Sequence, residues 1–292
     1  MRHGGFILCD SAVKTDGDFV IKLDMAAIAQ ELGNARVASS VAVGAALKLF
    51  GIPMSTEQAD NVFRKSVKAE YVDINIRAAQ AGYHAVPQKF EHTGGETSDH
   101  MLISGNQALA LGALAAGLQF YSAYPMSPST SIMEYLSLKS AETGIVVEQA
   151  EDEIAAINMA IGASFAGARA MTGTSGGGFS LKVEALGLSG MAEIPLVAVD
   201  VQRPGPVTGF PTRTEQSDLK FVISASQGEF PRMVIALRHH EDAFYQTIRA
   251  FNLAEKYQIP VILLSDQYLA DSTATIPVSY THLRAHETRE DL

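Results

Sequence analysis

A doubly wound parallel α/β sheet is the fold predicted for most of this 292-residue chain, and three observations carry that expectation. From Met101 onward, short apolar runs alternate with helical stretches, the pattern of repeated strand–helix units. Two of the runs, Leu196-Val197-Ala198-Val199-Asp200-Val201 and Val261-Ile262-Leu263-Leu264-Ser265-Asp266, are apolar almost throughout, as strands covered on both faces must be. The segments that follow the strands are rich in glycine, proline and hydroxyl side chains, and open α/β sheets bind their ligands at such loops.

Taken in order, residues 5–10 read as a buried strand ended by Asp10-Ser11, and 19–23 as a second. Asp24 is placed to cap a helix over 25–32, closed by Gly33-Asn34. A long apolar helix is expected over 34–50, stopped by Gly51-Ile52-Pro53. Another starts at Ser55 and runs to about Lys68, and 73–82 is helical. No catalytic constellation lies here. His3 and His84 stand alone, and Cys9 follows Phe6-Ile7-Leu8 as a buried apolar position. The polar, glycine-bearing stretch after Phe90 predicts a boundary: a first domain over 1–92, a linker over 93–100 and a second domain over 101–277.

In the second domain a short strand over 101–103 precedes a helix over 108–117, and a strand over 120–125 runs into Met126-Ser127-Pro128-Ser129-Thr130-Ser131. Those hydroxyls sit at the start of a helix over 132–140, where they suit either capping or an anion. The stretch 145–178 organises the rest. It reads as a strand, an acidic turn Glu148-Gln149-Ala150-Glu151-Asp152-Glu153, and a helix dense in Ala and Gly to Arg169. A strand over 170–174, the glycine turn Ser175-Gly176-Gly177-Gly178 and a helix over 179–191 follow. The small residues would let the first helix approach a neighbour closely, and carboxylates at its start suit the helix dipole. After the strand at 196–201 comes a proline- and glycine-rich loop over 202–219 carrying Arg203, Thr208, Thr212 and Arg213, then a helix over 242–256 and the strand over 261–266.

Composition excludes several function classes. At 47% hydrophobic and 18% charged residues, the chain buries a sizeable core. A net charge of −10 with no basic block argues against nucleic acid or an anionic membrane as partner. One cysteine permits neither an intrachain disulfide nor a cysteine-ligated cluster. With no signal peptide and no run long enough to span a bilayer, the expected compartment is cytoplasmic. Residues 279–288 resemble the translation of a transposase-type sequencing adapter. The tail 278–292 is therefore expected to be an artefact, His282 and His286 included, and the biological sequence to extend beyond both ends.

Four segments in order resemble one family: Tyr124-Pro125-Met126-Ser127-Pro128-Ser129-Thr130, Gln149-Ala150-Glu151-Asp152-Glu153-Ile154-Ala155-Ala156, Thr174-Ser175-Gly176-Gly177-Gly178-Phe179, and the loop from Gln202-Arg203 to Leu219. Over about residues 101–271 they are similar to the alpha subunit of 2-oxoacid:ferredoxin oxidoreductases, the 2-oxoglutarate type above all. Residues 1–83 resemble the C-terminal part of the gamma domain, fused in front. The resemblance implies a thiamine-diphosphate pyrimidine-binding domain preceded by part of a smaller α/β gamma domain. It also implies an aminopyrimidine activated by a glutamate hydrogen-bonded to its ring nitrogen. That glutamate aligns with Glu153; Glu151 is the rival, and Asp152 reads as a dipole or surface residue. Pro125, Met126, Ser175 and Gly176 are the implied cofactor contacts. Ser127 and Arg203 are the implied substrate contacts, since a guanidinium offers a carboxylate a bidentate fork. Thr208 is a further substrate-binding candidate, and Thr212 and Arg213 are candidates toward a second carboxylate or coenzyme A.

Departures exist: Ser127 stands where Thr is commoner, Gly177 where Pro is usual, and Pro204 and Val207 where Gly and Ser are commoner. The chain has no Gly-Asp-Gly motif and no cysteine set, so the resemblance places Mg²⁺ and the [4Fe–4S] cluster on a separate beta subunit. The expected function is oxidative decarboxylation of a 2-oxoacid, 2-oxoglutarate or pyruvate, to an acyl-CoA with reduction of ferredoxin, by a complex of which this chain is a part. A non-oxidative transketolase-like thiamine enzyme and a non-catalytic scaffold that keeps the fold are the rivals.

Overall fold

The computed structural model describes residues 5–92 and 99–277. His3, most of the expected linker and the tail from 278 lie outside them. The chain divides into two compact units, one ending at Gly95 and the other beginning at Glu96.

In the first unit, β1 (Ile7–Asp10) and β2 (Val20–Leu23) form a two-stranded parallel sheet followed by α1 (Met25–Glu31), α2 (Ala38–Leu49), α3 (Thr56–Ser66) and α4 (Val72–Ala85). Asp10 ends its strand because its carboxylate accepts from the amides of Ala12 and Ala26, which hold it below the usual carboxylate range. Asp24 caps α1, and Ser55 with Gln58 forms a capping box on α3. Val37, Val41, Ala45 and Ala78 pack the core between the helices. The expectation of a buried first strand is corrected: a two-strand sheet cannot cover both faces, Ile7 is exposed, and Cys9 is half-buried and free. The long apolar helix expected over 34–50 opens as a 3₁₀ turn at Ala35–Val37, which Asn34 caps through Arg36 N, and is α-helical only from Ala38.

The second unit holds β3 (His100–Ser104), α5 (Gly105–Ala115), β4 (Phe120–Ala123), α6 (Thr130–Thr143), β5 (Val146–Gln149), α7 (Glu153–Phe165), β6 (Ala170–Thr174), α8 (Gly176–Met191), β7 (Leu196–Gln202), α9 (Leu219–Ser224), β8 (Met233–Ala236), α10 (His240–Tyr257), β9 (Pro260–Asp266), α11 (Gln267–Asp271) and β10 (Thr273–Pro277). Six strands pair in parallel in the order β5-β4-β6-β7-β9-β8, the doubly wound sheet expected. Every residue of β7 and β9 is buried, because the sheet has a core on each face. Val197, Val199 and Val201 pack toward α5, α6 and α10, while Leu196 and Ala198 face α7, α8 and α9. The strand expected near Met101 forms, yet it pairs antiparallel with β10, outside the main sheet.

Other boundaries moved for local reasons. Ser129 is the N-terminal cap of α6, but no side-chain oxygen caps it. Ser131 Oγ is instead occupied by Asn106 Nδ2 at 2.8 Å, and the same nitrogen donates to Pro128 O at 2.8 Å, so Asn106 anchors this loop. The glycine turn is already helical: α8 begins at Gly176. In α7 it is Ala156 and Ala160 that make the close packing, while a Cβ on Gly162 would meet nothing within 4 Å. β8, α9, α11 and β10 were not anticipated; they are short, and β8 is a half-buried edge strand without an alternating pattern.

Asp152 adopts extended backbone and caps α7 by accepting from Ala155 N at 2.7 Å, which gives this carboxylate a structural role the helical wheel did not show. Asp152→Ala should lower the unfolding free energy by about 1 kcal/mol, the usual worth of such a cap. Thermal denaturation reads this directly, and an unchanged midpoint would show the cap to be idle.

Candidate functional site

The strand order places a topological switch between β4 and β6: from β4 the chain winds outward to β5, then returns past β4 and continues the other way. Loops at the carboxyl ends of those strands must part there, leaving a crevice. Tyr124, Pro125, Met126 and Ser127 after β4, Glu153 after β5, Gly177, Gly178, Ser180 and Leu181 after β6, and Arg203, Val207, Thr208 and Pro211 after β7 line a cleft of about 530 Å³.

Glu153 is the first residue of α7 and is only 6% exposed, whereas Glu151 is exposed; of the two rival glutamates only Glu153 lines the cleft. Its helix is tied to β4 by Ser122 Oγ, which donates to Ala156 O at 2.6 Å. The carboxylate lies against the first turn of α8: a Cβ on Gly178 would fall 2.6 Å from Glu153 Oε1 and 2.9 Å from Met126 Sδ, so only glycine leaves room.

Arg203, 7% exposed, works differently from the expected free fork. Its Nη1 donates to Ser127 O at 2.6 Å and its Nη2 to Thr208 O at 2.5 Å, so two of its five donors staple the β4 loop to the β7 loop. Burial pulls its pKa down, and the Glu153 carboxylate opposes that. The β7 loop folds tightly on itself: Gly209 has φ +57°, and a Cβ there would collide with Pro204 O. Its return leg is pinned where Gln202 Oε1 accepts from Asp218 N and Gln216 Nε2 donates to Asp266 Oδ2.

Of the residues singled out in sequence, Pro125, Met126, Ser127, Glu153, Arg203 and Thr208 meet in the cleft. Gly176 lines an adjoining cavity of about 220 Å³ with Arg203, Asp218 and Phe221. Ser175 is fully buried, Thr212 and Arg213 are exposed, and none of these three lines either cavity. Two buried ionisable groups were missed. Lys182, fully buried on α8, donates from Nζ to Thr172 Oγ1 at 2.8 Å and to Glu153 O at 3.2 Å. Burial pulls its ammonium down to about 7, with Glu153 and then Asp152 holding it up. A signal existed, since Lys182 falls three residues after Phe179 and four before Leu186, on the buried stripe of α8.

The other is Asp200 in the middle of β7, with both carboxylate oxygens buried and without a partner. Burial, then the Asp218 carboxylate, pushes its pKa well up. Between the ordinary value of 3.8 and the raised one, the folded chain holds a proton that the unfolded chain has released. Stability therefore falls as pH rises through that window. Asp200→Asn removes the titration. The variant should match the parent near about pH 4 and exceed it in thermal stability near about pH 8. A parent that is the more stable at the higher pH would contradict this.

Comparisons with known proteins show which family carries this fold. Residues 111–291, more than half of the chain, match the family described as pyruvate flavodoxin/ferredoxin oxidoreductase, thiamine diP-binding. Residues 1–85 match the family described as pyruvate ferredoxin/flavodoxin oxidoreductase. The chain is 42% identical over 257 residues to subunit alpha of 2-oxoacid:ferredoxin oxidoreductase 1 of Sulfurisphaera tokodaii, covering 83% of this chain and 40% of that protein. It is 36% identical over 274 residues to 2-oxoglutarate oxidoreductase subunit KorA of Mycobacterium tuberculosis, covering 86% and 42%. Among solved structures it resembles 2-oxoglutarate:ferredoxin oxidoreductase from Magnetococcus marinus with 2-oxoglutarate, coenzyme A and succinyl-CoA bound. The TM-score is 0.81 at 39% identity, covering 91% of this chain and 48% of that one. The chain thus spans less than half the length of these relatives. A glutamate presented by a helix start at the switch point of a doubly wound sheet, together with matches of this extent, means that the chain belongs to the pyruvate flavodoxin/ferredoxin oxidoreductase family through its thiamine-diphosphate-binding domain.

Proposed function

We propose that this chain is part of the alpha subunit of a thiamine-diphosphate-dependent 2-oxoacid:ferredoxin oxidoreductase and receives the aminopyrimidine half of the cofactor. The assembled enzyme takes a 2-oxoacid, 2-oxoglutarate or pyruvate, releases its carboxylate as CO₂, passes an electron pair to ferredoxin and leaves the acyl group on the thiol of coenzyme A. The observation that carries this reading is Glu153, a nearly buried carboxylate at a helix start facing a cleft otherwise sided by Pro125, Met126 and Leu181. A flat, half-apolar heterocycle with one ring nitrogen to satisfy fits that surface.

When bound, thiamine diphosphate supplies a carbon nucleophile that can add to the substrate carbonyl. This chain's residues would prepare it. Glu153 holds a proton at the ring nitrogen, and Gly178 leaves the carboxylate its space. Met126 and Leu181 line the cleft and would shield the ring from water. Ser127 and Thr208 offer hydroxyls from loops that Arg203 locks together, and Arg203 supplies positive charge toward a substrate carboxylate. Ser175, buried at the N-terminal cap of α8, and Gly176, the first residue of that helix, fix the turn that carries Gly177 and Gly178 into the cleft. Thr212 and Arg213, being exposed, are available only to coenzyme A or to a partner.

Among the described residues no group of three or more His, Cys, Asp or Glu side chains could hold a metal ion. A beta subunit carrying Mg²⁺, the diphosphate site and a [4Fe–4S] cluster completes the proposal. Its docking is supported by the apolar side chains that α7 and α8 leave exposed along their length, from the cleft outward: Ile154, Met159 and Phe165 on one, Leu181, Leu188 and Met191 on the other. The match of residues 1–85 to the companion family supports a gamma–alpha fusion. No helix among the described residues is long and apolar enough to cross a membrane.

In the enzyme assembled from full-length subunits, Glu153→Gln should reduce 2-oxoacid-dependent ferredoxin reduction by a factor on the order of a hundred or more. Activity equal to the parent would remove Glu153 from the chemistry and with it this reading.

A further inference from the structure

Lys182 has no place in the chemistry just described, yet it is fully buried, and an unpaired buried ammonium is strongly disfavoured. Its neighbours on the same helix face, Phe179, Ala185 and Leu186, belong to the apolar core, so a methionine would pack in its place. What it does instead is specific. From α8 it reaches across to β6, donating to Thr172 Oγ1, and to the start of α7, donating to the carbonyl oxygen of Glu153 itself. It bonds the backbone of the residue whose side chain faces the cleft. The charged groups facing it are Glu153 and Asp152 from α7, and Arg203 at the end of β7 faces Glu153 in turn.

We propose that Lys182 is a positioning residue for Glu153. It ties the first residue of α7 to β6 and serves as the buried counter-charge of the Glu153 carboxylate, so that the carboxylate enters the cleft in one orientation. The inference rests on the reading of Glu153 given above. It explains why an amine is kept where an apolar side chain would fit. The backbone bond fixes where the glutamate starts, and the positive charge balances a carboxylate that lies away from bulk water. Burial alone would strip the proton from Lys182, and the negative charge of Glu153 helps retain it, leaving the ammonium at about 7. Loss of that negative charge lowers the proton affinity of Lys182.

The first test uses the full chain labelled with ¹³C at lysine Cε, the Lys182 signal being the one lost in Lys182→Met. In the parent it should titrate near neutrality, and in Glu153→Gln its midpoint should fall. A midpoint that does not move overturns the coupling. The second uses the complete enzyme. Lys182→Met should lose kcat by about tenfold with the 2-oxoacid KM nearly unchanged, because a misplaced general acid–base group slows chemistry more than binding. Its pH profile should also lose the inflection near neutrality. Thr172→Val, which keeps the charge and removes one acceptor, should lose kcat in the same direction and serves if the Met variant does not fold. Full kcat in Lys182→Met or Thr172→Val beside a crippled Glu153→Gln enzyme overturns the role of Lys182 alone. A fully active Glu153→Gln enzyme overturns the reading of the site as well.

Discussion

Glu153 can face the cleft from inside the protein because three pieces of the fold converge on one helix start. Asp152 caps the helix and frees the next side chain to turn inward. Gly178 removes the side chain that would otherwise occupy the carboxylate's volume. Lys182 binds the Glu153 carbonyl from below and sets an opposite charge beside it. A carboxylate without water is costly, and each contact lowers that cost or fixes its direction.

The sheet decides where this happens. Reversal of winding between β4 and β6 parts the loops after those strands, and helix starts, a glycine turn and hydroxyl-bearing loops meet at the vacated edge. Arg203 shows how the edge is kept in shape. It joins the loops after β4 and β7 through backbone carbonyls, so the cleft-lining groups on both are held to one geometry by a side chain that itself lines the cleft. Val207, with φ +58° and a largely exposed side chain, sits in the same loop. A β-branched residue in the left-handed region costs about 1–2 kcal/mol, strain that the surrounding turn at Gly209 sustains.

Much of this was legible in the residues. The apolar runs of β7 and β9 announce strands buried on both faces, and the order of the loop motifs points to the cleft before any coordinate does. Glu153 was separable from Glu151 only by alignment to the resembling family; burial then separates them physically. What escaped notice has a common cause. Lys182 and Asp200 are charged residues inside apolar patterns, and one-dimensional periodicity treats such residues as interruptions when in three dimensions they are partners. The cost of burying them is visible only once the neighbouring strand or helix is known. Thr212 and Arg213 share a loop with Thr208 but lie beyond the turn at Gly209, exposed and outside the cleft lining, a separation that loop composition does not reveal. Short elements such as β8 and β10 owe their conformation to their pairing partners, which local propensity does not contain.

The account is tested most directly by a structure of the full-length subunit assembled with its partner and thiamine diphosphate. It predicts a Glu153 carboxylate oxygen about 2.7 Å from a ring nitrogen of the aminopyrimidine, with Lys182 still bonded beneath it. A heterocycle seated elsewhere, or a Glu153 side chain turned out of the cleft, would contradict it.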